Sequence, residues 1–122
     1  MANDFKRFAK PDVGTSTGAS ADPVYTVPAG AGATALESII IGIAICNKTA
    51  LEKTVGIFLD NYDNTNDVYI VKGLKVPANT TVEIMQGNKL VVQNSGSAGD
   101  VVRAECNAGT SVDVTVSVLE DV

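Results

Sequence analysis

Val112, Val114, Val116 and Val118 alternate with Asp113, Thr115 and Ser117. A period of two puts the four branched side chains on one face of a strand and the polar residues on the other, whereas a helix would scatter the valines around its axis. Ile39, Ile41, Ile43 and Ile45 repeat the pattern, with Gly42 and Ala44 opposite and Ile40 adding an apolar group to that second face. Such a strand is expected to be covered on both sides. Val55, Ile57 and Leu59 alternate next. The polar loop Asp60 to Asp67 and the β-branched run Val68 to Val71 then predict a hairpin.

Turn residues punctuate the rest. Pro77-Ala78-Asn79 precedes a strand expected over 80–85, and Gln86-Gly87-Asn88 precedes one over 89–93, the two pairing locally. Val102, Ala104 and Cys106 alternate with Arg103 and Glu105, and Asn107-Ala108-Gly109 turns the chain into the valine strand. About eight strands between Val24 and Leu119 predict an all-β fold, an antiparallel sandwich that is jelly-roll-like or immunoglobulin-like. No convincing helix is present. Residues 1–22 read as an extended N-terminal arm, basic and Phe-containing at first and then rich in Gly, Ser, Thr and Ala. Residues 23–122 form the β-sandwich domain, which is expected to melt cooperatively without the arm.

Composition narrows the chemistry. The 122 residues contain no His and no Trp, which removes the commonest general base and the best ring for stacking on sugars. Glu83, Glu105 and Asp113 fall on polar strand positions, where solvation or cross-strand ion pairs explain them, and no serine or cysteine has a histidine partner. Enzymatic activity is therefore not expected, and neither is a cofactor. A formal charge of −5 argues against a nucleic-acid coat. The longest apolar run, Ile39 to Cys46, is far shorter than the ~20 residues of a membrane helix, and the first ten residues lack the apolar core of a secretory signal. No nucleic acid and no membrane are expected as partners.

Four local features invite chemical readings. Gly30, Gly32 and Ala35 match a relaxed dinucleotide fingerprint, but an Ile-rich strand follows where a phosphate-binding helix would have to start, so a flexible loop is preferred. Asp60 to Asp67 concentrates oxygen ligands, yet it has neither the glycine nor the bidentate glutamate of a calcium loop, and an Asx-rich hairpin loop accounts for it. Cys46 and Cys106 lack CxxC spacing and read as reduced, buried thiols, with a bridge left open. Asn47-Lys48-Thr49 and Asn79-Thr80-Thr81 match the glycosylation pattern but read as turns.

Charge is divided unevenly. Residues 1–10 hold three basic side chains and one acidic, a net of +2, while residues 11–122 hold six basic and thirteen acidic, a net of −7. Two phenylalanines in such an arm favour protein contact over water, so Phe5, Lys6, Arg7, Phe8 and Lys10 are the candidate subunit interface.

The F-K-R start, the Gly-Thr-Ser segment, V-Y-T-V-P-A-G, the Ile-rich strand ending in Cys46-Asn47, Val71-Lys72-Gly73-Leu74, Val76-Pro77-Ala78, Lys89-Leu90-Val91-Val92 and the ending V-D-V-T-V-S-V-L-E together resemble small virion structural proteins of tailed bacteriophages, particularly those of marine bacteria and cyanobacteria. The resemblance implies a non-enzymatic β-module present in many copies on the particle and assembled in the host cytoplasm. Its expected partners are other virion proteins, namely the major capsid protein or neck and tail components, together with further copies of itself. A capsid decoration or cement protein is the leading expectation. A neck or tail protein, or a surface module that binds carbohydrate or a receptor, is the alternative.

Overall fold

The computed structural model describes residues 3–62 and 67–121. Among the described residues nine strands make two antiparallel sheets: β1 (Asn3–Lys10), β2 (Asp22–Thr26), β3 (Leu36–Asn47), β4 (Lys53–Asp60), β5 (Val68–Val76), β6 (Thr80–Glu83), β7 (Leu90–Asn94), β8 (Val101–Cys106) and β9 (Val112–Asp121). The first sheet runs β1-β9-β3, and both β6 and β7 pair with the far edge of β3. The second runs β2-β8-β4-β5. Among the described residues a single 3-10 turn, Gly18–Ser20, is the helical structure present.

The pairings nest. β4 and β5 form the innermost hairpin, β3 pairs with β6 and β7 outside it, β2 with β8 outside that, and β1 with β9 outermost. Two further pairings, β9 with β3 and β8 with β4, roll this ribbon up into its two sheets. The inward rows of both sheets meet in one core. Val112, Val114, Val116 and Val118 are fully buried in it with Ile40, Ile43, Ile45, Val55, Ile57 and Val102. The valine alternation therefore sits where its period puts it, and the hairpin after Leu59 forms as expected, with Leu59 paired to Val68.

Three expectations change. The four isoleucines do not share a face: Ile43 and Ile45 point into the core, whereas Ile39 and Ile41 face out and Ile40 is buried. The cause is a bulge between Ile40 and Gly42, where the register against β9 shifts and the alternation changes phase. Second, β6 and β7 do not pair with each other. They lie end to end along β3, β7 on Leu36 to Ile40 and β6 on Ala44 to Asn47. The gap between them would strand backbone donors, and Glu83 closes it: its Oε2 accepts the Ile43 amide at 2.9 Å and the Met85 amide at 2.8 Å.

The third concerns residues 1–22, read as an arm followed by a domain starting at 23. Asn3–Lys10 is an edge strand in full register with β9, Lys10 opposite Val114 and Phe5 opposite Leu119. The crossing segment that follows buries Val13 and Ala21, and the Val13 amide donates to the Val112 carbonyl at 2.9 Å. An apolar core flank open at β9 would otherwise face water, which is why this segment folds onto the body and leaves no separate arm over residues 3–22.

Candidate functional site

The candidate interface residues divide by strand parity. Lys6, Phe8 and Lys10 stand opposite Val118, Val116 and Val114 and so lie on the inward side of β1, while Phe5 and Arg7 stand opposite Leu119 and Ser117 on the outward side. Phe8 packs its ring on Tyr25, centroids 4.6 Å apart, and joins the core margin. Lys6 reaches Glu120, its Nζ 2.9 Å from Oε1. Phe5 and Arg7 point outward, Phe5 76% exposed, while Lys6 is exposed but ion-paired and Phe8 and Lys10 are half-buried.

Glu120 was invisible as a functional residue yet organises this end of the molecule. It is 1% exposed, and its Oε2 accepts a 2.6 Å hydrogen bond from the Tyr25 hydroxyl, which also lies 2.9 Å from Ser38 Oγ. Strands β1, β2, β3 and β9 thus converge on one buried polar cluster. Burial first, and then the hydrogen bond to Glu120, push the Tyr25 phenol well above its ordinary range. The Glu120 carboxylate likewise holds the Lys6 ammonium above its usual 10.5. The parity of β9 was the available signal, because an even-numbered residue after Val118 must point inward.

The outward face of the first sheet carries a feature that sequence reading missed. Phe5 pairs with Leu119, Leu119 with Ile39 and Ile39 with Val91. One row of apolar side chains therefore crosses β1, β9, β3 and β7. Val91 is 56% exposed and the bulged Ile41 beside the row 37%.

The second sheet's outward face is polar by comparison. Gly56 has no side chain, and Glu105 leans across it, so that a Cβ there would meet Glu105 Cγ at 3.0 Å. Across this gap the Tyr69 hydroxyl donates to Glu105 Oε1 at 3.0 Å, and Lys72 Nζ lies 5.0 Å from the Tyr69 ring centroid. Partial burial, then the bond to Glu105, raise the Tyr69 phenol above 10.0. Thr15, Thr17, Thr54 and Asn107 complete a shallow hollow of about 330 Å³. An apolar groove of about 360 Å³ opens between β5 and the β6–β7 edge, lined by Val68, Ile70, Ile84, Met85 and Leu90.

Two further carboxylates have structural partners. Asp113 takes the Asp12 amide and the Lys48 ammonium, both at 2.9 Å, and Asp60 takes Arg103 Nε at 2.9 Å. Arg103 also donates to the Ala21 carbonyl at 2.8 Å, tying the crossing segment to β8. Asp60 is thereby committed to a guanidinium, and residues 63–66 of the expected Asx loop lie outside the described residues. Among the described residues no three His, Cys, Asp or Glu side chains gather as a metal site. Gly30 and Gly32 sit in a tight turn closed by a Gly30–Thr34 bridge, and strand β3 follows. Cys46 lies on the outward face of the first sheet and Cys106 on the inward face of the second, and both are free thiols. Asn47, the last residue of β3, is buried and holds the turn that follows: its amide donates to the Leu51 and Val76 carbonyls and its oxygen accepts the Thr49 amide.

Compared with protein-family models, curated proteins and solved structures, the chain matches no family model, no curated protein and no solved structure.

Proposed function

We propose that the chain is a non-enzymatic structural subunit of a bacteriophage virion, and that its two sheets form a jelly roll. The observation that carries this reading is the nested pairing of β1 with β9, β2 with β8, β3 with the β6–β7 edge and β4 with β5, rolled so that β9 meets β3 and β8 meets β4. With β6 and β7 counted as one broken strand, this is an eight-strand double Greek key, an architecture shared by viral capsid and lectin domains. Architecture alone leaves function open, so the reading also draws on the phage-like sequence elements and on the apolar outward face, which suits packing against protein.

A capsid decoration or cement role is preferred, with Phe5 and Arg7 as the part of the basic strand available to a neighbour. A lectin role has less physical support: Lys72 already sits over the ring of Tyr69. Quantitative mass spectrometry of purified particles tests the proposal. A decoration protein stands in simple ratio to the major capsid protein, whereas a neck or tail component appears in about six or twelve copies, following ring symmetry. Absence from purified particles overturns the virion reading, and specific retention on a glycan array would replace it with the recognition reading.

A further inference from the structure

Single exposed apolar side chains are ordinary, but a continuous row across four strands of a sheet is not. The row Phe5, Leu119, Ile39, Val91 spans four strands, about 19 Å at ~4.8 Å per strand. Along the twelve-residue β3 the face is about 40 Å long. Its plan area is thus of the order of the ~800 Å² per partner found in standard interfaces.

Charge flanks the row on both sides: exposed Glu37 stands one step to one side on β3, opposite Gln93, and Arg7 and Glu83 lie to the other. One step along the strands on the same side, Arg7 stands opposite Ser117 and Ser117 opposite Gly42. Glu83 lays its carboxylate over Gly42, Oε1 lying 3.1 Å from where a Cβ would be. The cation is therefore at the β1 end of this second row and the anion at the β6–β7 end. We propose that this face binds a second copy of the chain, sheet against sheet, about a two-fold axis parallel to the strands. Such an axis reverses the strand order while keeping the rows level. Phe5 of each copy then meets Val91 of the other, the row closes on itself, and Arg7 of each copy meets Glu83 of the other, twice by symmetry. A two-fold axis perpendicular to the strands would instead set Phe5 on Phe5 and separate Arg7 from the partner copy's Glu83. Aligned sheets packing at about 10 Å and about −30° accommodate the first arrangement. The inference stands on register and charge alone and needs no virion.

Sedimentation equilibrium of the full chain across a concentration series reads the association directly. The expected result is a species of twice 12.6 kDa. Phe5→Lys and Val91→Lys are each expected to weaken it at least about tenfold, since each sets an ammonium against the partner's apolar row, with the circular dichroism and melt of the monomer preserved. A chain that stays monomeric throughout, or a dimer indifferent to both substitutions, overturns the proposal and leaves the face to a different protein. The axis is tested by mixing Phe5→Cys chains with Val91→Cys chains, joining facing thiols with a short bis-maleimide that spans the ~10 Å between packed sheets, and mapping the cross-linked peptides. Linkage between positions 5 and 91 supports the arrangement. Linkage between two copies of position 5 overturns it, and this arm requires no variant with a buried charge.

Discussion

The Tyr25 hydroxyl donates a 2.6 Å hydrogen bond to Glu120 Oε2 in the interior, joining strands 95 residues apart in sequence. A carboxylate this deeply buried is tolerable only with its oxygens engaged, here by Tyr25 and the Lys6 ammonium. The bond therefore matters more for what its loss leaves behind than for its own net strength.

Tyr25→Phe keeps the ring against Phe8 but strips the carboxylate of its donor and Ser38 of its neighbour. A loss of about 1–3 kcal/mol in urea unfolding is expected, the cost of an unsatisfied buried acceptor. Ser38→Ala should cost less, because Glu120 keeps both partners. Equal losses would contradict this account.

Glu83→Ala reopens the gap between β6 and β7. Two backbone donors lose their acceptor, so a loss of about 1–3 kcal/mol is expected, with hydrogen exchange accelerated at the Ile43 and Met85 amides. Glu83→Gln retains a carbonyl oxygen and should fall between the two.

Gly99→Ala meets backbone directly. A Cβ there would lie 2.5 Å from the Val27 carbonyl oxygen and 2.6 Å from Asn94 Nδ2, which itself donates to that carbonyl. Relief requires moving the loop that holds β7 to the segment after β2. The expected cost is at least about 1–3 kcal/mol, typical of overpacking, read as a lower urea midpoint. Gly109→Ala, where a Cβ meets nothing within 4 Å, is the neutral comparison.

Acid titration should report the Asp113 cluster. The Asp12 amide foremost, and the Lys48 ammonium, hold the Asp113 carboxyl below its ordinary 3.8 against the opposing pull of partial burial. Its folded pKa being the lower one, the group contributes stability above 3.8 and loses that contribution as pH falls through the folded value. Wild type should therefore destabilise more steeply than Asp113→Asn on going from about pH 5 to about pH 2. Lys6 and Lys48 have the opposite sign. Raised above 10.5, they contribute below that value and release their strands as pH rises through the folded one.

Removing residues 1–22 would take away β1, the Lys6 partner of Glu120 and the buried Val13 and Ala21. The truncated chain should melt well below the full one, in contrast to the expectation that an arm is dispensable. A melt unchanged by the truncation would show β1 to be energetically idle.

What could be read from sequence follows the range of the physics involved. The valine strand was legible because parity is local and every even position agrees. The isoleucine strand was misread because the phase shift at Ile41 depends on Glu83, some forty residues away, whose carboxylate makes a bulge affordable there. β6 and β7 were found as strands but given the wrong partner, since turn chemistry at Gln86 and Gly87 allows a reversal without requiring a hairpin. In the candidate interface, Phe5 and Phe8 look alike in sequence; only register separates the exposed ring from the one packed on Tyr25. The apolar row needed three inter-strand registers at once, which no single segment encodes.

Strand β9 lies between β1 and β3, so the first sheet lacks its middle until residues 112–121 have left the ribosome. While translation proceeds, β1 has emerged with no neighbour to zip onto and β3 waits with one flank bare. The interval before β9 emerges is thus when nascent copies are most vulnerable to tangling with one another.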